Sequence, residues 1–364
     1  MYKKIAVILL AVILVFALAG FAPKGQDAGE IALSEQGQAG AKESASDQFV
    51  SDKDSGYVIY FLDNYNGNSF HQTIESQFSL LADSMIADGT LSSYQILESN
   101  HDSATQIAQI ESCILAGVDA IIIDPCSASA LNGALEEAWD AGIPTIIVND
   151  GPVTTDKTFQ INFDTVALAE NATQKLVDML GGKGKIINIR GIAGDSFDET
   201  FNSGVMNVIN QYPDIEIVAE VYGEWTTSVS QQQVASVLAG LDEVDGVMGQ
   251  GGDAYGAVMA FEADGRDIPI IIGGNRGNFL NWWKEAKDES GYETFSWACN
   301  PWDGAAALYV AVDILKGDYN IPFEMIMGGL EITQDMVDDF YGLDDDFVAF
   351  KGYDHDWIVE NFYN

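Results

Sequence analysis

The chain has 364 residues, 47% of them hydrophobic and 20% charged, which is enough apolar material for more than one soluble core. Its 16 Lys and Arg stand against 56 Asp and Glu, a formal charge of −40 at pH 7. No basic footprint remains for nucleic acid, and the acidity reads as solvation in an extracellular or salty setting.

The chain begins "MYKKIAVILLAVILVFALAGFAPKG", two lysines ahead of an apolar run from Ile5 to about Ala22. That is the layout of a secretory leader, with Ala17, Leu18 and Ala19 as the cleavage region. A run of roughly 18 residues also suffices to span a bilayer, so an uncleaved anchor is the alternative. Residues 1 to 22 are therefore read as signal peptide or anchor, and the rest as exported to the periplasm or the outer face of the membrane. Residues 23 to 55 are rich in Gly, Ala, Ser, Gln, Glu and Asp and read as a flexible acidic spacer.

Short apolar runs then alternate with amphipathic ones. The short runs are "VIYFL" (58 to 62), "YQIL" (94 to 97), "AIII" (120 to 123) and "TIIV" (145 to 148). They continue with "KIINI" (185 to 189), "IEIVAEVY" (215 to 222), "GVMG" (246 to 249) and "IPIII" (268 to 272). Phe70, Ile74, Phe78, Leu81 and Met85 recur at helical spacing between the first two runs, as do Val234, Val237, Leu238 and Leu241 later. Continuous apolar strands separated by helices predict parallel sheets covered on both faces, and the number of strands calls for two.

Polar residues follow the strands: Asp63 and Asn64, Asp124, Asn149 and Asp150, Arg190, Gln250 to Asp253, and Asn275 with Arg276. Any one of them can serve as a helix cap. As a set they mark the carboxyl edge of each sheet, where open α/β folds bind ligands.

Catalysis finds little support. The histidines are His71, His101 and His355, with no Gly-x-Ser-x-Gly elbow, no P-loop and no Gly-x-Gly-x-x-Gly fingerprint. Cys113, Cys126 and Cys299 fit no zinc spacing and are expected as free thiols. No cofactor or metal is expected, the acidic loops "GLDDDF" and "YDHDW" lacking the ligand spacing of a calcium loop.

The segments "NSFHQTI", "GVDAIIIDPCSASAL", "AGIPTIIVND", "GIAGDSFDETFNSGV" and "IPIIIGGN", in this order, resemble the ribose and galactose type of periplasmic binding protein. That family supplies the sugar-binding component of ABC importers and shares its fold with LacI-type repressor cores. The resemblance implies an α/β fold of two doubly wound parallel-sheet lobes, joined by a three-segment hinge and closing on ligand. It places the amino-terminal lobe at 56–162 plus 301–330 and the carboxyl-terminal lobe at 163–300 plus 331–364. The implied partners are a sugar or polyol and an ABC transporter permease, the protein itself being a monomer without enzymatic activity.

Carried over residue by residue, the resemblance puts Asn68, Phe70 and His71 at the first strand's exit and Asn149 with Asp150 at the fourth. Trp225 takes the second stacking position, beside Gln250, and Asn275 that of an acidic residue. Asn300 takes the amide position at the return crossing, or Cys299 if the register slips by one. Two arginines of the family pattern are absent, with Phe201 and Asp150 in their places, and Arg276 is the candidate replacement. A rim of Asp150, Asp164, Glu199 and Asp253 raises an amine or amino sugar as the alternative ligand, and a sensor kinase or chemoreceptor as the alternative partner. Glycoside processing by paired carboxylates and a DNA-binding repressor are the remaining alternatives.

Overall fold

A computed structural model describes residues 46 to 149 and 153 to 363. The expected leader, most of the spacer and Asp150 lie outside the described residues. In chain order the elements begin β1 (Tyr57–Asp63), α1 (Ser69–Asp88), β2 (Leu91–Glu98), α2 (Ser103–Ala116), β3 (Ala120–Ile123), α3 (Asn132–Asp140), β4 (Thr145–Ile147) and β5 (Phe159–Asn162). There follow α4 (Thr165–Met179), β6 (Gly184–Arg190), α5 (Ser196–Ile209), β7 (Ile215–Tyr222), α6 (Thr227–Leu238), β8 (Gly246–Met248), α7 (Ala254–Asp264) and β9 (Ile270–Ile271). The chain ends with α8 (Gly277–Ser290), β10 (Ser296–Ala298), α9 (Asp303–Lys316), β11 (Glu324–Ile326), β12 (Leu330–Ile332) and α10 (His355–Phe362).

Two parallel sheets result, as the uninterrupted apolar runs require. The first has the order β11-β5-β4-β3-β1-β2 and the second β7-β6-β8-β9. A Gly273–Ser296 bridge extends the second toward β10, which pairs antiparallel with β12. In β3 all of Ala120–Ile123 is buried, as befits a central strand, whereas β2 and β7 alternate partly exposed residues at the edges.

Successive strand residues feed opposite layers. Ile59, Phe61, Ile122 and Ile146 join the core under α1 and α9, while Leu62, Ile121, Ile123 and Ile147 join the one under α2 and α3. In the second sheet Ile186 packs toward α4 and α5, and Ile187, Ile189, Val247 and Ile271 toward α6, α7 and α8. Each such fully buried aliphatic or aromatic side chain contributes roughly 1.5–3 kcal/mol relative to exposure. Helix α9 ("DGAAALYVAVDILK") reads as one apolar stretch because its small residues let α1 come close: a Cβ on Gly304 would lie 2.8 Å from Ile74 Cγ2.

Two expected boundaries move. The spacer ends before residue 46, because Ser46–Phe49 forms a 3-10 turn whose Phe49 is buried, its ring 4.6 Å from that of Trp139. A phenylalanine in a polar stretch gains by entering an aromatic gap, here between Trp139 and Phe159. Residues 331 to 364 do not all belong to the second lobe either. Helix α10 lies against α9, burying Ile358 and Phe362, with His355 Nε2 2.8 Å from Asp313 Oδ2. Among the described residues no helix is long and apolar enough to cross a membrane.

Candidate functional site

The carboxyl ends of both sheets face a cavity of about 350 Å³ lined by residues from each. From the first lobe come Tyr65, Asn68, Phe70, His71, His101 and Asn149. From the second come Asp195, Phe197, Glu224, Trp225, Gln250 and Arg276, with Trp297 and Cys299 at the return crossing.

The first-lobe floor is built where α1 starts. Asn68 caps that helix, its Oδ1 accepting the His71 backbone N–H at 3.1 Å. The capped turn leaves Phe70 and His71 side by side, ring centroids 6.1 Å apart and nearly perpendicular. His71 Nδ1 lies 3.4 Å from Asp63 Oδ1 and 3.2 Å from Asp124 Oδ2, all three side chains being buried. Asn149 leaves β4 in a left-handed conformation (φ 63), which asparagine tolerates, and donates Nδ2 to Asp124 Oδ2 at 3.2 Å. Burial, followed by a hydrogen bond to Asp63 and its charge, pushes the Glu75 carboxyl up to about 7. Glu75 therefore changes protonation near neutrality beside Asp63. Asp63, His71 and Asp124 are compact enough to hold a cation, their ligand atoms lying within 4.8 Å of one another.

The second-lobe wall is aromatic. Trp225 projects from a left-handed turn (φ 49), with the Phe197 ring edge-on at 6.2 Å. Gln250, at the exit of β8, accepts the Trp225 Nε1–H at 3.3 Å. Arg276 is 7% exposed, yet among the described residues its side chain makes one long hydrogen bond, Nη1 to Thr227 Oγ1 at 3.4 Å. Its Nε has no partner among the described residues. Burial lowers the guanidinium pKa, against the opposing charges of Asp346 and Asp253. A buried guanidinium with unmet donors at a cavity wall suits an oxygen-rich guest.

Several expected site residues lie elsewhere. Asp164 caps α4, accepting the Ala167 N–H at 3.0 Å. Glu199 is largely exposed and accepts from Arg190 Nη2 at 3.0 Å. Phe201 is fully buried, stacked on Trp297 at 4.9 Å, so it supports the wall from behind. Asn275 is engaged on both sides of its amide: it donates Nδ2 to Leu330 O at 2.8 Å, and its Oδ1 accepts the Ser296 hydroxyl at 2.6 Å, pinning three strand ends. Asn300 donates to Lys351 O at 2.8 Å and accepts from the Trp302 N–H at 3.2 Å, and Cys299 lines the cavity instead. Asp253 is fully buried beneath the β8 turn. With Asp164, Glu199 and Asp253 elsewhere, the acidic rim among the described residues consists of Asp195 and Glu224, and Asp195 Oδ1 already caps α5 at 2.8 and 3.1 Å.

Sequence reasoning passed over Tyr65, His101, Asp195, Phe197 and Trp297. Tyr65 and His101 stack on one another, centroids 4.6 Å apart, across the exits of β1 and β2. Their position beyond the strand ends, Tyr65 just after β1 and His101 just after β2, is the signal that marks both.

A profile of the periplasmic binding protein domain matches residues 59–318. A xylitol-binding protein of Mycolicibacterium smegmatis is 33% identical over 175 residues, 47% of this chain and 50% of that one, so the match spans half the relative's length. An ABC transporter solute-binding protein from Thermobispora bispora superposes with a TM-score of 0.76 at 27% identity, covering 84% of this chain and 94% of that one. A Bacillus halodurans solute-binding protein with bound myo-inositol shares the fold, with a TM-score of 0.68 at 21% identity over 80% of this chain and 99% of that one. The chain, matched along most of its described length and built of two parallel-sheet lobes around a shared cleft, belongs to the periplasmic binding protein family.

Proposed function

We propose that this protein is the extracytoplasmic solute-binding component of an ABC importer, clamping a sugar or polyol between its lobes without catalysis. The observation that carries the reading is the cleft itself, which sets Phe70, His71 and Asn149 of one sheet opposite Trp225, Gln250 and Arg276 of the other. Aromatic faces suit the C–H surface of a sugar, and amide and guanidinium groups suit its hydroxyls. The chain crosses between the sheets after β5, between β10 and α9, and between β11 and β12. These crossings form the hinge, and a guest touching both lobes shifts the population toward the closed form. A membrane permease reads that closed form, and the binding protein acts as a monomer. His71 and Asn149, held by Asp63 and Asp124, orient the ligand from below, while Trp225 and Arg276 close over it.

Thermal-shift and calorimetric screening of the exported chain against pentoses, hexoses, pentitols, inositols and amino sugars tests the reading. A true ligand at about a hundred times its dissociation constant adds roughly 2.7 kcal/mol of stability. Turnover of any of these compounds, or stabilisation by none of them, overturns it.

A further inference from the structure

Trp225 and the preceding Glu224 both adopt left-handed backbone conformations (φ 49 and 52), a strained choice for such side chains. Such a conformation persists only where its surroundings over-determine it. The surroundings here are a buried relay. Gln250 Oε1 accepts the indole N–H, and Gln250 Nε2 donates to Asp198 Oδ1 at 2.7 Å. Because a carboxylate only accepts, Asp198 dictates which way round the Gln250 amide sits; the flipped amide would turn a donor toward the indole donor. Asp198 is fully buried and is itself gripped by Arg190, through Nε at 2.9 Å and Nη2 at 2.6 Å, and by the Gly191 N–H at 2.8 Å. Gly191 also lies flat beneath the indole, where a Cβ would come within 2.3 Å of Trp225 Cζ2. Asp198, Arg190 and Gly191 do not line the cleft.

We propose that Asp198, anchored by Arg190, is a positioning residue for ligand binding, which fixes the Trp225 indole against Gly191 through Gln250. The Arg190–Asp198 pair is spent on the protein's own aromatic wall, and it sets affinity without touching the guest.

The affinity part of the test rests on the sugar-binding reading above. Asp198→Asn and Gly191→Ala are each made in the Trp225 protein and in the Trp225→Ala protein. All four, with both parents, are titrated calorimetrically with xylitol, D-ribose, D-xylose and myo-inositol. Each substitution is expected to weaken binding roughly tenfold when Trp225 is present and less than about twofold when it is absent, the signature of action through that side chain. Equal losses in both backgrounds, or none in either, overturn the proposal. Gly191→Ala leaves the ion pair untouched and serves where Asp198→Asn does not fold. Independently of any ligand, the indole N–H resonance that disappears in Trp225→Phe is expected to move in both variants. An unmoved resonance overturns the proposal even if no sugar in the panel binds, a result that would count separately against the function.

Discussion

Trp225→Ala probes the cleft most directly. The indole is partly buried and offers one face to the cavity, the other being covered by Gly191. A sugar ring covering about 60 Å² of that face contributes roughly 1.5 kcal/mol by area. Aromatic contact adds about 0.5–1.5 kcal/mol, so the whole loss is about 2–3 kcal/mol, or at least roughly thirtyfold in dissociation constant. The side chain is only partly buried, so the folded state should lose little stability on its removal. The measurement pairs calorimetric titration with a urea melt of the same preparation. A loss below about threefold with an unchanged melt would show that the guest does not rest on this ring, and the sandwich of Phe70 and Trp225 would have to be given up.

The remaining predictions follow from individual partners. Arg276→Lys should weaken binding at least about tenfold, because a lysine cannot reproduce the fork of donors at a buried wall; unchanged calorimetric affinity would place the guanidinium out of the guest's reach. Phe201→Ala should cost about 3–5 kcal/mol in a denaturant melt, as expected for a filled core position stacked on Trp297, and a cost under about 1 kcal/mol would contradict its burial. Burial pushes the Asp253 carboxyl from 3.8 up to about 6. The folded pKa lies above the unfolded one, so this group's contribution is complete below about pH 4 and is lost as pH rises through about 6, a change of about 3 kcal/mol. Asp253→Asn should therefore flatten the stability profile between pH 4 and 7, and an unaltered slope would refute the assignment.

How far the sequence could be read depended on the apolar continuity of each element. Runs such as "AIII" and "KIINI" are continuous enough to announce buried parallel strands, and the helices between them carry their own period. Strands β5 (FQIN), β10 (SWA), β11 (EMI) and β12 (LEI) mix polar with apolar residues over three or four positions, so neither a continuous run nor a period shows, and they went unread. The site divided in the same way. Asn68, Phe70, His71, Asn149, Trp225, Gln250 and Arg276 are where strand exits put them, at the cavity. Asn275 and Asn300 also sit at strand exits and have the right chemistry, yet their hydrogen bonds close crossings between strands.

The amino-acid sequence by itself determined the layer order, because apolar content and period decide which segments must be covered on both faces. It also determined that polar side chains gather at the carboxyl edges of two sheets. Only the tertiary structure decided which of them face the cleft. Neighbouring residues at a strand end point in opposite directions, so Cys299 and Arg276 meet the cavity while Asn300 and Asn275 beside them turn to partners across the strand crossings. That choice rests on long-range partners such as Leu330 and Lys351, dozens of residues away in the chain, whose positions no local pattern records.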